Sequence, residues 1–304
     1  MQRQSVLRNP WFQLFAITSG LAAGITVLNV FHLVSFSASR SSAERLARES
    51  RGTSTTSPVH VTFEEHLRAA EQGIANSQAT LGNMYYYGDG IQKDLSEAAK
   101  WYQKAADQGN AFGQAALGNM YLNGEGVAKD LAQAAKWFEK AAEQGNAIAE
   151  ANLGILYAKG QGVTKDLAEA AKWYQKAAEQ GNATGEAGLG ISYLYGQGVP
   201  KDLTEAAKWF RKAAEQGNAD GEVYLGFLYF GGEGVTRDAA EAVKWFRKGA
   251  ERGHAHAEYN LGVMYLRGDG VTKDLAEAAE WFRKAADQGD QEAIRMVQQL
   301  SKSE

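Results

Sequence analysis

Between residues 75 and 290 apolar and polar positions alternate in two kinds of segment. The stretch 147–182, AIAEANLGILYAKGQGVTKDLAEAAKWYQKAAEQGN, shows both. Ala147, Ala151, Leu153, Gly154 and Tyr157 fall at helical spacing and predict a short helix, termed helix A. Gly160 and Gly162 interrupt it, since glycine readily takes the positive φ that a helix stop and a tight loop demand. Val163, the apolar residue of the loop, is expected to plug it onto the core. Asp166 then opens a helix B. Glu169, three residues on, completes a capping box in which each side chain bonds the other residue's amide. Helix B is expected to bury Leu167, Ala170, Ala171, Tyr174 and Ala178 along one stripe, with Trp173 on its flank. Gly181 ends it, and Asn182 can cap the next helix A.

This pattern repeats. Trp101, Trp137, Trp173, Trp209, Trp245 and Trp281 are spaced by 36 residues, as are Gly82, Gly118, Gly154, Gly190, Gly226 and Gly262. Six units result, 75–110, 111–146, 147–182, 183–218, 219–254 and 255–290, without insertion or deletion. A glycine in mid-helix costs about 1 kcal/mol against alanine, so its recurrence predicts that two helix backbones approach closely there. No unit can bury its apolar face alone, and each must stack on its neighbours. The flanks read as caps. Residues 61–74 contain TFEEHLRAAEQG, the last part of a helix B without its Trp; 291–304 open with a helix A in which Gln298 replaces the packing glycine.

The pattern A-x-x-x-L-G-x-x-Y, then G-x-G-V-x-K-D, then A-x-x-W-[YF]-x-K-A-A-x-Q-G, resembles the Sel-one-like repeats, relatives of the tetratricopeptide repeats. The resemblance covers residues 75–290. It implies an all-α fold, a right-handed α-solenoid of helix-turn-helix repeats whose A helices line the concave surface. It also implies an adaptor role in assembling protein complexes, at membranes in eukaryotes and in the cell envelope or host contact in bacteria. Some cysteine-rich bacterial members of that family bind β-lactams; this chain has no cysteine, so that activity is not carried over.

The N-terminus is a separate object. Residues 1–10 are polar, and 11–36, WFQLFAITSGLAAGITVLNVFHLVSF, carry no charge. As a helix the latter spans about 39 Å, against about 30 Å of hydrocarbon. Trp11, Phe12, Phe31 and Phe36 suit the two interfaces. A single transmembrane anchor is expected, with a cleaved signal before a Ser37/Ser39 site as the alternative. Residues 37–60, rich in Ser, Thr and Arg, read as a flexible linker. Arg40, Arg45, Arg48 and Arg51 outnumber Arg3 and Arg8, which leans towards a cytoplasmic repeat region. The resemblance leans the other way, and the repeats are expected outside the cytoplasm.

Composition narrows the chemistry. A net charge of −4 argues against nucleic acid as the partner, and absent cysteine excludes disulfides and thiolate metal sites. The G-x-G steps lie in helix-to-helix turns without the preceding strand of a nucleotide loop, so no cofactor is expected. His254, His256 and Glu258 lack a third close ligand for a metal. No histidine neighbours a nucleophile motif. What differs between units is therefore informative. The second, sixth, ninth and thirteenth residues of helix A vary most and share one helical face. That face offers Asn83 and Tyr87, Asn119 and Asn123, Asn152 and Lys159, Tyr195, Tyr224, then Asn260 and Arg267. Amides and tyrosines in this array suit a protein or peptide partner. The expected function is a membrane-anchored scaffold that is not an enzyme; a cell-envelope hydrolase or antibiotic-binding enzyme built on the solenoid is the alternative.

Overall fold

A computed structural model describes residues 63–301. Among the described residues there are fourteen helices and no strand. Helix α1 (Phe63–Glu71) precedes six A/B pairs: α2 (Ala75–Tyr87) with α3 (Leu95–Asp107), α4 (Ala111–Asn123) with α5 (Leu131–Glu143), and α6 (Ala147–Lys159) with α7 (Leu167–Glu179). Then come α8 (Ala183–Tyr195) with α9 (Leu203–Glu215), α10 (Ala219–Gly231) with α11 (Ala239–Glu251), and α12 (Ala255–Arg267) with α13 (Leu275–Asp287); α14 (Gln291–Leu300) closes the series. Even-numbered helices are thus A helices and odd-numbered ones B helices. The described residues form two compact units, divided after Ala213. Each is an all-α stack of helix hairpins.

The turn from A to B is built as the glycines suggest, with one addition. Gly160 stands in the left-handed region at φ 67° and its N–H donates to Leu156 O, ending α6. Gly162 also has positive φ, but its lack of a side chain matters more to the neighbouring repeat: a Cβ there would overlap the Leu131 carbonyl at the start of α5. Gly126 meets Leu95 O and Gly198 meets Leu167 O in the same way, and in the second unit Gly270 meets Ala239 O. Gly90, with no complete helix B before it, finds nothing nearer than Met84 Cε at 4.0 Å. At Gly126, Gly162, Gly198 and Gly270 the second glycine of the G-x-G step is therefore a joint between repeats.

The capping box forms by half. Asp166 Oδ1 accepts from the amides of Ala168 and Glu169 at 2.9 and 3.0 Å. The return bond from Glu169 is not made, because the Asp166 N–H already donates to Tyr157 O at 3.0 Å. Glu169 turns instead to Lys172, at 2.9 Å. The same substitution of partners holds at Asp94, where Tyr85 O takes the amide and Lys100 takes Glu97. Closing the A-to-B loop onto helix A thus displaces the glutamate from its expected role.

Packing revises two further expectations. The mid-helix glycines face rings, not a second backbone. A Cβ at Gly154 would lie 2.7 Å from the Tyr174 ring of the same repeat, and one at Gly118 would lie 2.8 Å from Phe138. Helix B therefore seats an aromatic edge directly against the backbone of its own helix A. Trp173 is not a flank residue but buried, against Phe138, Leu153 and Leu156, whereas Leu167 is only half-buried. The Lys176 ammonium covers the Trp173 ring at 4.0 Å, and an equivalent lysine covers every repeat's Trp. Val163 packs against the same cluster, as its place in the loop suggests. At the ends, Phe63 and Leu67 of α1 pack beside Leu81 and Trp101, and Met296, Val297 and Leu300 of α14 beside Phe282. No helix among the described residues is long and apolar enough to cross a membrane. The segment 11–36 and the linker 37–60 lie outside the described residues.

Candidate functional site

In the first unit, variable residues of two successive A helices are joined by a hydrogen bond. Asn152 Nδ2 on α6 donates to Asn119 Oδ1 on α4 at 3.3 Å, so successive repeats join their variable faces side by side. Asn83 accepts a 2.6 Å bond from Tyr102 OH, which reaches it from helix B beneath. At the equivalent place in the third repeat the ring is Tyr174 but position 9 is Ile155, and the Tyr174 hydroxyl is buried without a partner. Tyr87 and Tyr195 are exposed, at 44% and 39%. Tyr87 packs edge-on against Tyr86, whose hydroxyl donates to Glu125 Oε2 at 2.6 Å across to the next repeat. Burial, then Glu125, hold the Tyr86 phenol well above its usual range. Lys159 is half-buried, and so is Asn123, whose Oδ1 is enclosed without a partner.

The second unit treats the same positions differently. Tyr224 and Asn260, expected to offer surface, are buried at 8% and 4% exposure. The Asn260 amide folds back onto its own helix, donating to His256 O at 2.6 Å. Arg267 is half-buried. Here the ionisable groups sit at the helix starts: His254 Nε2 lies 3.5 Å from Asp220 Oδ1, and His256 Nδ1 lies 3.4 Å from Asp290 Oδ2. His254 makes no cap bond, unlike the asparagines at its place in other repeats. Among the described residues no group of three histidine or carboxylate side chains is placed to hold a metal ion.

A second ladder escaped the sequence reading. Position 4 of each repeat is Gln78, Gln114, Glu150, Glu186, Glu222 or Glu258, and all six are buried. Gln78 Nε2 donates back to Ala70 O at 3.0 Å, and its Oε1 accepts from Gln108 at 2.6 Å. Gln114 repeats this with Ala106 O and Gln144. Glu150 accepts from Gln180, and Glu258 from Gln288, each at 2.7 Å. At Glu222 the partner is Arg252, at 3.2 Å. The usable signal was paired change: the one repeat with Arg in place of Gln at position 34 has its acid directly across from it.

Comparison with known proteins follows the same lines. The Sel1 repeat model matches residues 75–110, 111–146, 147–182, 183–218, 219–254 and 255–290. The chain belongs to the Sel1 repeat family. Among solved structures it is similar to c5321, a protective antigen present in uropathogenic Escherichia coli strains and displaying an SLR fold. The two share 41% identity at a TM-score of 0.69, over 78% of this chain and 51% of that one. This Sel1 repeat chain thus spans about half the length of that relative. A Sel1 repeat protein from Oxalobacter formigenes is 33% identical at a TM-score of 0.67, over 73% of this chain and 92% of its own. Comparison with curated protein sequences gives no match. The Sel1 repeat scaffold is consistent with a role in protein–protein interaction.

Proposed function

We propose that the chain is a membrane-anchored Sel1 repeat scaffold that holds a protein or peptide on the variable face of its A helices. The observation that carries this reading is the Asn119–Asn152 bond. It links residues that differ between repeats across two neighbouring A helices, while the residues that repeat are used up in packing and capping. Amides alongside the exposed Tyr87 and Tyr195 provide donors, acceptors and aromatic area suited to an extended main chain. The charge-free run 11–36 supplies the anchor. Placement of the repeats outside the cytoplasm is in keeping with the similar E. coli chain being described as a protective antigen.

The test is site-directed photo-crosslinking in the full chain. A photoreactive residue at Tyr87 or Tyr195 is expected to trap a common partner. The same residue at Lys100 or Lys172, on the outer side of helix B, is expected to trap none. Equal trapping from both sides would overturn the assignment of the face. A reporter fused after Glu304, active on one side of a membrane only, tests the orientation independently.

A further inference from the structure

Position 4 is occupied by two residue types of nearly one shape. In the first two repeats the glutamine amide is a double-sided staple, donating to the last-turn carbonyl of the preceding helix B (Ala70 or Ala106) and accepting from position 34 of its own repeat. Glu150 and Glu258 keep the second half of that staple. An ionised carboxylate has no hydrogen for the first half, and the equivalent carbonyls, those of Ala142 and Ala250, lie one helix back. Yet both glutamates are as buried as the glutamines, at 3% and 4% exposure. We infer that Glu150 and Glu258 are acid-strengthened staples: on taking a proton from solvent, each carboxyl donates to the carbonyl that glutamine holds elsewhere, and the joint between repeats tightens.

The surroundings agree. Burial pushes the Glu150 carboxyl up, against the opposing pull of Lys176 and the Gln180 bond, with Glu179 adding to the rise. Glu258 is likewise raised by burial, against Gln288, Lys284 and His254, with Asp287 adding to it. A carboxyl raised in the folded state binds its proton more tightly there than in the unfolded chain. Its contribution is then fully present below the unfolded value, about 4.3, and is lost as pH rises through the folded one. Burial raises the Glu222 carboxyl too, against Arg252, Lys248 and His254, but repeat 5 pairs it with a guanidinium that stays charged throughout and not with an amide.

Glu150→Gln in the full chain gives the cleaner reading, because His254 stands beside Glu258. The variant installs the residue that two repeats already carry, so folding is not at issue. It is expected to melt about 2–4 °C above the parent at pH 8, with the gap closing by pH 4. The Glu150 side-chain carboxyl carbon, followed by NMR, is expected to titrate above the ordinary glutamate range. A gap that stays constant with pH, a variant that melts at or below the parent at pH 8, or an ordinary carboxyl titration would each overturn the inference.

Discussion

In repeat 1 the Asn110 amide donates to Asn76 Oδ1 at 2.8 Å; at the same two positions repeat 5 sets His254 against Asp220, and repeat 6 sets Asp290 against His256. In the position 4 ladder the partner is an amide in repeats 1, 2, 3 and 6 and an arginine in repeat 5. Each unit nevertheless keeps the same glycine joints, the same ring-on-glycine contacts and the same aspartate caps. The two regions therefore share a frame of backbone and apolar contacts and differ in the polar rungs laid across it. Rungs made of two amides are indifferent to pH and salt, while rungs that hold an ionisable side chain in the same geometry are not. The scaffold can thus change its electrostatic character without changing its packing.

The largest effect should be equal in the two regions, because it breaks what they share. Gly162→Val in the first unit and Gly270→Val in the second each force a β-branched residue into positive φ and against a neighbouring carbonyl. Each is expected to cost about 3–5 kcal/mol in urea unfolding. Gly90→Val, strained in φ but facing open space, should lose only the backbone part, about 1–2 kcal/mol. A Gly90 variant as damaged as Gly162 would mean that the joint is merely a turn.

The rungs should then separate the regions. Arg252→Ala strands a fully buried Glu222 carboxylate, one of whose oxygens already lacks a partner. Because the guanidinium is half-exposed, solvent recovers part of the loss, and about 2–3 kcal/mol is expected. Gln180→Ala removes an amide donor from Glu150 and should cost about 1 kcal/mol. Raising salt should narrow the gap between the two variants by weakening the parent ion pair. Equal costs at low salt would erase the distinction drawn between the regions.

Most of the frame was legible because 36-residue periodicity averages over six copies: Asp166 and Val163 declared their roles through their equivalents, while Trp173 and Gly154 were marked as packing residues without their true neighbours. Errors arose where a role depends on the neighbouring repeat or on competition for one atom. Gly162 looks like a turn residue until the Leu131 carbonyl is beside it. Glu169 looks like a cap until Tyr157 O takes the aspartate amide. The variable face was legible as a pattern, but Tyr224 and Asn260 show that a varying position is not always an exposed one. Position 4 was missed since Gln and Glu at a helix start read as solvent-facing, and only burial reveals the ladder.

The smallest expected effect concerns the C-terminal cap, where the ionic character of the second unit should show as a pH response of opposite sign to that of the staples. Asp290 caps α14, its Oδ1 accepting from Ala293 N at 2.8 Å, while Oδ2 faces His256. Burial raises its carboxyl, but the His256 bond and the amides of Ala293 and Glu292 outweigh this and leave it below the usual carboxylate range. A depressed carboxyl contributes stability that is present above its unfolded value, about 3.9, and lost as pH falls through the folded one. Asp290→Asn retains a good cap residue and removes the titration together with the charge that faces His256, so it should cost under about 1 kcal/mol at pH 6. Hydrogen exchange of the α14 amides should accelerate below about pH 4 in the parent beyond the intrinsic rate, and not in the variant. The helix start capped by Asn110, whose first turn carries no acid, should show no step at that pH. A step at that asparagine-capped start as well would show that acid acts on the whole frame and not on its ionic rungs.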